Sequence, residues 1–203
     1  FISGNDTLCS NSTEQAEVKI SFSGAVDPYT FVYSVNGVTQ DAVLTDFNPY
    51  IIETNEEGSY KLVSSSDGSG EIGWTSGSAL VTVSEAPEAI FSLITDTLSV
   101  LYPTAKFTDN TIQGDEILTS WIWNFGDNTF TETIQNPEHD FENGTGIFEV
   151  SLVVTDAIGC TDTTYKHIWI TDEYWMYVPN SFTPDNDQIN DVFCISYHGI
   201  RTE

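Results

Sequence analysis

Apolar residues in this chain recur at every second position, and that period restricts the fold more than any other feature. Glu17-Val18-Lys19-Ile20-Ser21-Phe22 alternates polar and apolar, and Tyr29-Thr30-Phe31-Val32-Tyr33-Ser34-Val35 follows the same rhythm. Successive side chains of a strand point to opposite faces, so such alternation specifies strands with one buried face. Asn36-Gly37 follows at once. Both residues tolerate positive φ, which makes the pair a strong hairpin signal. Further strands are expected over 49–54, 59–64, 79–84, 90–94, 98–101, 105–108, 120–125, 148–155 and 165–170. No window has convincing helical spacing, apart from a turn around 11–17. Short strands at close spacing, separated by glycines, indicate β-sandwiches. The expected class is all-β.

The chain also repeats itself. Gly58-Ser59-Tyr60-Lys61-Leu62 corresponds to Gly146-Ile147-Phe148-Glu149-Val150, each reading glycine, any, aromatic, any, aliphatic. A polar turn and a closing strand follow in both places. Ser84-Glu85-Ala86-Pro87-Glu88 is an acidic, proline-containing hinge between the copies. The expected organisation is two tandem immunoglobulin-like sandwiches, residues 1–85 and 86–172, followed by the first strands of an incomplete third β-domain over 173–203. The aromatic at the start of the penultimate strand has a packing role, as in the tyrosine corner of such folds.

Charge excludes several functions. Five Lys and Arg against 31 Asp and Glu give a net charge of −26. A nucleic-acid binder needs basic residues to displace counterions from phosphates, and docking on an anionic membrane surface needs them as well. No apolar run approaches the ~18 residues of a membrane-spanning helix. An aromatic content of 13% nevertheless requires a packed core. The chain opens mid-pattern at Phe1-Ile2-Ser3 without a leader, and is expected to be an internal piece of a longer protein. Of the three cysteines, Cys9, Cys160 and Cys194, none forms a Cys-x-x-Cys pair. Zinc is not expected. A Cys160–Cys194 bridge is the pairing closest in sequence.

Trp121-Ile122-Trp123-Asn124-Phe125-Gly126-Asp127, then Asn136-Pro137-Glu138-His139-Asp140-Phe141, then Gly146 to Asp156 form an ordered set. The set resembles the PKD domain, an immunoglobulin-like sandwich common in surface and secreted proteins, over about 86–172. Asn128 stands at the family's last turn glycine and Phe148 at its tyrosine. Trp123 and Phe125 lie two apart and should fill the core from one face of a strand. Gly126 should permit a tight turn, and Asp127 should accept hydrogen bonds from the turn's amides. His139 is expected to be structural.

The tail, Tyr177-Val178-Pro179-Asn180-Ser181-Phe182-Thr183-Pro184-Asp185-Asn186-Asp187-Gln188-Ile189-Asn190-Asp191-Val192-Phe193, resembles the start of the gliding-motility-type C-terminal domain of Bacteroidota. That family is the type B sorting signal of the type IX secretion system. The first half, with Pro28-Tyr29-Thr30-Phe31 and Tyr33 to Gly37, is similar to repeats of long gliding adhesins. Those repeats often carry a cysteine pair, whereas Cys9 has no apparent mate near 67–70. Together the resemblances imply the C-terminal stalk of a large surface adhesin, used for gliding or attachment and held at the outer membrane. Its implied partners are the type IX translocon and outer-membrane attachment proteins, with surface polysaccharide as a further one. The alternative is a set of spacer or carbohydrate-binding modules trailing a secreted polysaccharide-degrading enzyme. A third reading is an adhesion module stiffened by calcium.

Some residues could carry chemistry. Asp185, Asp187, Asn190 and Asp191 put four oxygen-bearing side chains within seven residues, a spacing that suits Ca²⁺. The competing role is a hydrogen-bonded turn opening the sorting domain. No other cofactor is expected. Asp6-Thr7-Leu8, Asp96-Thr97-Leu98 and Asp162-Thr163-Thr164 resemble the Bacteroidota O-glycosylation motif. This marks Thr7, Thr97 and Thr163 as acceptors, expected near loops. Catalysis is not expected, because no Gly-x-Ser-x-Gly elbow or His-Glu-x-x-His helix occurs. The acidic pairs Glu56-Glu57 and Asp115-Glu116 are expected to be solvated. Trp74 and Trp121 are the candidates for stacking on sugars, against the commoner fate of core packing.

Overall fold

The computed structural model describes residues 1–142, 144–173, 175–178 and 196–198. By its contacts the chain divides into two units. Phe1–Ala86 with Gln113–Ile117 form the first, and Pro87–Ile112 with Leu118 onward form the second. Every regular element among the described residues is a strand, and both units are immunoglobulin-like sandwiches.

In the first unit the strands are β1 (Ile2–Ser3), β2 (Asp6–Cys9), β3 (Ala16–Ile20), β4 (Tyr29–Val35), β5 (Val38–Thr39), β6 (Val43–Thr45), β7 (Tyr50–Thr54), β8 (Gly58–Ser66) and β9 (Ala79–Ser84). One sheet has the order β1-β3-β7 and the other β2-β9-β8-β4-β5, with β6 also on β4. Strand β3 shows the expected alternation, with Ala16, Val18 and Ile20 buried and Glu17 and Lys19 exposed. These residues pack with Phe31, Val35, Tyr60 and Val81 into one core. Asn36 and Gly37 both have positive φ, 51° and 83°. They close the β4–β5 hairpin, in which Val35 faces Val38. The Asn36 side chain also accepts from the Ser59 amide at 2.9 Å and donates to the Glu57 carbonyl at 3.2 Å. One residue thus turns a hairpin and anchors the start of β8.

The second unit contains β10 (Phe91–Leu93), β11 (Thr97–Ser99), β12 (Thr104–Asp109), β13 (Leu118–Asn124), β14 (Glu138–Asp140), β15 (Gly146–Asp156) and β16 (Thr161–Thr171). Its sheets are β10-β12-β14 and β11-β16-β15-β13. The plan repeats that of the first unit. In each, a short early strand pairs in parallel with the last one, β2 with β9 and β11 with β16. The matched glycines Gly58 and Gly146 open the equivalent strands β8 and β15. Tyr60 is buried, and its hydroxyl donates to the Glu56 carbonyl at 2.8 Å, which is a tyrosine corner. Phe148 has no hydroxyl and instead meets the Phe141 ring at 5.1 Å. Beyond the second sandwich, β17 (Trp175–Tyr177) pairs antiparallel with β18 (Ser196–His198).

Cys9 and Cys160 are both disulfide-bonded. Cys194, the third cysteine and the expected partner of Cys160, lies outside the described residues.

Candidate functional site

Two turns of the second unit are each built around an aspartate that accepts from the residue two ahead. In the first, Trp123 and Phe125 are buried, at 0% and 1% exposure, as their two-residue spacing requires. The Trp123 indole donates to the Ile134 carbonyl at 3.0 Å. Gly126 turns the chain at φ +74°, where a Cβ would lie 2.5 Å from the Glu149 carbonyl oxygen. Asp127 follows. Its Oδ1 accepts from the Thr129 amide at 3.1 Å and the Thr129 hydroxyl at 2.6 Å. Its Oδ2 meets His139 Nε2 at 2.8 Å. The imidazole lies flat on Phe125, with ring centres 3.8 Å apart.

The second turn repeats the device. Asp109 Oδ1 accepts from the Thr111 amide at 3.0 Å and the Thr111 hydroxyl at 2.5 Å. Its Oδ2 takes the Trp121 indole N–H at 2.7 Å and the Gln135 amide at 2.9 Å. Asp67 does the same in the first unit, accepting from the Ser69 amide and hydroxyl on one oxygen and the Val26 amide on the other. These three clamps share an Asp-x-Ser/Thr pattern: Asp67-Gly68-Ser69, Asp109-Asn110-Thr111 and Asp127-Asn128-Thr129. The carboxylate folds back on the residue two ahead and spends its second oxygen across the fold. The pattern is readable in the sequence.

These bonds fix charge states. Burial pushes Asp109 and Asp127 up, but the hydrogen bonds from Thr111, Gln135 and Trp121, and from Thr129 and His139, hold both below the usual carboxylate value. The Ser69 hydroxyl, then the Val26 amide, lowers Asp67 to about 2. Asp127 and His139 are at most 9% exposed and bonded to the fold, so the pair serves as a strut rather than an acid–base couple.

Asn128, the residue after Asp127, has φ +66°. Asparagine tolerates this left-handed conformation better than other residues with a Cβ. Asn128→Ala should therefore destabilise the second unit by about 1 kcal/mol, while Asn128→Gly should be neutral or slightly stabilising. Chemical denaturation of both variants checks this, and equal losses would refute it.

The other sequence candidates separate clearly. Trp121 packs against the core with its indole N–H satisfied, whereas Trp74 is 99% exposed. Thr7, Thr97 and Thr163 are all exposed, but they lie in β2, β11 and β16 rather than in loops. Thr7 Oγ1 meets Thr82 Oγ1 across the parallel pair at 2.8 Å. The polar Asp-Thr motif hides the strands because their pairing is imposed by partner strands. Glu56 and Glu57 are exposed, and Asp115 accepts from the Glu85 amide at 2.8 Å. Asp185, Asp187, Asn190 and Asp191 lie outside the described residues. Among the described residues no group of three or more His, Cys, Asp or Glu is placed to hold a metal ion.

Residues 86–170 match the family model of the PKD domain, the stretch built around the Trp123–Asp127 turn. No curated protein matches the chain. Among solved structures, the chain is similar to the PKD1 domain of Vibrio anguillarum Epp, at 29% identity over 44% of this chain and 99% of that one, with a TM-score of 0.39. It is similar to the PKD1 domain of the Vibrio cholerae metalloprotease PrtV, at 29% identity over 42% and 96%, with a TM-score of 0.37. A Ca²⁺-stabilised adhesin with which an Antarctic bacterium binds ice aligns at 16% identity over 89% of this chain and 52% of that one, with a TM-score of 0.48.

Proposed function

We propose that the chain is a non-catalytic segment of a large cell-surface adhesin, a stalk of two sandwiches followed by a secretion signal, used in gliding or attachment. The observation that carries this reading is an order of parts. A PKD-matching module at 86–170 is followed directly by the sorting-type sequence that begins at Tyr177. The site chemistry agrees, because Asp109, Asp127 and His139 are committed to turns, as catalytic groups would not be. In this reading the tail is handed to the type IX translocon and then to outer-membrane attachment proteins. Thr7, Thr97 and Thr163, exposed on three strands, carry O-linked glycan. Asp185, Asp187, Asn190 and Asp191 hold calcium.

The test removes the tail. With the sequence from Tyr177 onward deleted in the native host, the protein should be retained in the periplasm. It should then be resistant to protease added to intact cells, while the full-length protein is cleaved. Undiminished surface exposure of the deletion variant would overturn the export reading.

A further inference from the structure

Trp74 is the anomaly of the first unit. A tryptophan is usually largely buried, and the residue type is enriched at contact surfaces. Here the indole is 99% exposed, and Ile72, two residues earlier, is 84% exposed. The segment that carries them is not a loose tip. On its leading side, Asp67 Oδ1 accepts from the Ser69 and Glu71 amides, and Oδ2 reaches across to the Val26 amide. The Gly73 amide donates to the Ser65 carbonyl at 2.8 Å, and Ser66 bridges Ile72. On its trailing side the Ile2 amide donates to the Ser76 carbonyl at 3.0 Å. Gly77 passes at φ +84°, so close to Ile2 that a Cβ would lie 2.2 Å from its carbonyl oxygen. Both sides are tied to the sandwich, and Trp74 is presented between the ties.

Next to it is a cavity of about 480 Å³, within the range of small-ligand sites. Phe22, Ser65, Ser66, Asp67 and Glu71 line it together with Trp74. Phe22 is held in place by stacking on Tyr29, with ring centres 4.4 Å apart. The wall thus offers aromatic faces, hydroxyls that both donate and accept, and carboxylates that only accept. Asp67 spends one oxygen on its own loop and the other on the Val26 amide, which leaves Glu71 as the carboxylate available to a ligand. No Lys, Arg or His side chain lines the cavity, and the chain carries a net charge of −26. The one cationic group on the lining, the Phe1 terminal ammonium, donates to the Ser21 carbonyl at 3.0 Å, and an anionic ligand would have to face Asp67 and Glu71 beside it. A purely apolar ligand would bury the hydroxyls and Glu71 unpaired. A molecule with flat C–H faces for the aromatics and many neutral hydroxyls for Ser65, Ser66 and Glu71 satisfies every group.

We propose that this cleft is a binding site for a neutral polysaccharide, with Trp74 as its stacking platform and Glu71 as the main acceptor of sugar hydroxyls. The proposal deepens the attachment reading above and rests on it for its setting. Its test is separate from that of export.

Native gel electrophoresis of the whole 203-residue chain in gels containing mixed-linkage β-glucan, arabinoxylan, galactomannan, glycogen or alginate reads binding as retardation. The wild type should be retarded by at least one neutral polysaccharide and not by alginate. Trp74→Ala should weaken that retardation at least tenfold, and Glu71→Gln should weaken it less. Trp169→Ala, in the second unit, should leave it unchanged. Because the Trp74 side chain lies in solvent, its variant should keep the wild-type melting temperature, so lost binding cannot be ascribed to lost fold. Absence of retardation in every neutral gel, retardation by alginate alone, or full binding by Trp74→Ala would each overturn the site. None of these results would alter the tail-deletion experiment.

Discussion

Trp123→Ala should cost the second unit about 3–5 kcal/mol, the usual loss for truncating a large buried aromatic. The indole is fully buried and sits where three strands bring rings together. Its centre lies 5.1 Å from Phe91, in an edge-to-face arrangement, and 5.3 Å from Phe107. Removing it would open a cavity that these rings cannot close without leaving their own contacts. It would also strip the Ile134 carbonyl of its donor. Native domains are stable by roughly 5–15 kcal/mol, so the variant should be near its unfolding threshold at room temperature. Trp123→Phe should recover most of the loss, because it keeps a ring between Phe91 and Phe107. The residual deficit should include about 1 kcal/mol for the lost indole hydrogen bond. Urea denaturation followed by circular dichroism measures both variants, with Trp74→Ala as the control of negligible effect. A loss below 1 kcal/mol for Trp123→Ala would mean that the rings repack and do not depend on the indole.

What could be foreseen from sequence follows a physical division. Features decided within a few residues were legible. Asn36-Gly37 closes its hairpin because positive φ at two successive positions is a local property of those residues. Trp123 and Phe125 share a face because the strand period is two. The matched Gly-x-aromatic segments open equivalent strands because the same tertiary slot selects the same residues. Features decided by a distant partner were not legible. Strand β2 has the sequence Asp-Thr-Leu-Cys, with only Leu8 buried, and it is a strand because β9 supplies its hydrogen bonds. Strand β14 is Glu-His-Asp, with only His139 buried. Its inward residue is polar because Asp127 and Phe125 are there to receive it. Trp74 and Trp121 looked equivalent as candidates. Asp109, twelve residues before Trp121 in the chain, separates them by taking the indole N–H of one.

The second large effect is expected at Asp127. Asp127→Ala would leave the Thr129 amide and hydroxyl and His139 Nε2 without their acceptor in a nearly closed environment. Unsatisfied buried groups cost about 1–3 kcal/mol each. A loss of about 3 kcal/mol in the second unit is therefore expected. Asp127→Asn keeps the shape and one carbonyl oxygen, so it should cost less. The two variants divide the effect into packing and charge, and pH makes the division visible. The folded-state pKa of Asp127 is depressed, with burial opposing and the Thr129 and His139 hydrogen bonds prevailing. A depressed carboxylate contributes stability that is complete above its unfolded pKa, near 3.9, and that disappears as pH falls through the folded value. Asp109 is depressed in the same sense, so the second unit of the wild type should lose stability in two places as pH drops below about 4. The second unit of Asp127→Asn should start lower at pH 7 and fall less steeply, because of its two depressed carboxylates only Asp109 remains to be lost. Unfolding free energies measured from pH 7 to pH 3 test this. Parallel curves for the wild type and Asp127→Asn would show that the Asp127 charge does not support the turn, and the strut would then rest on shape and neutral hydrogen bonds alone.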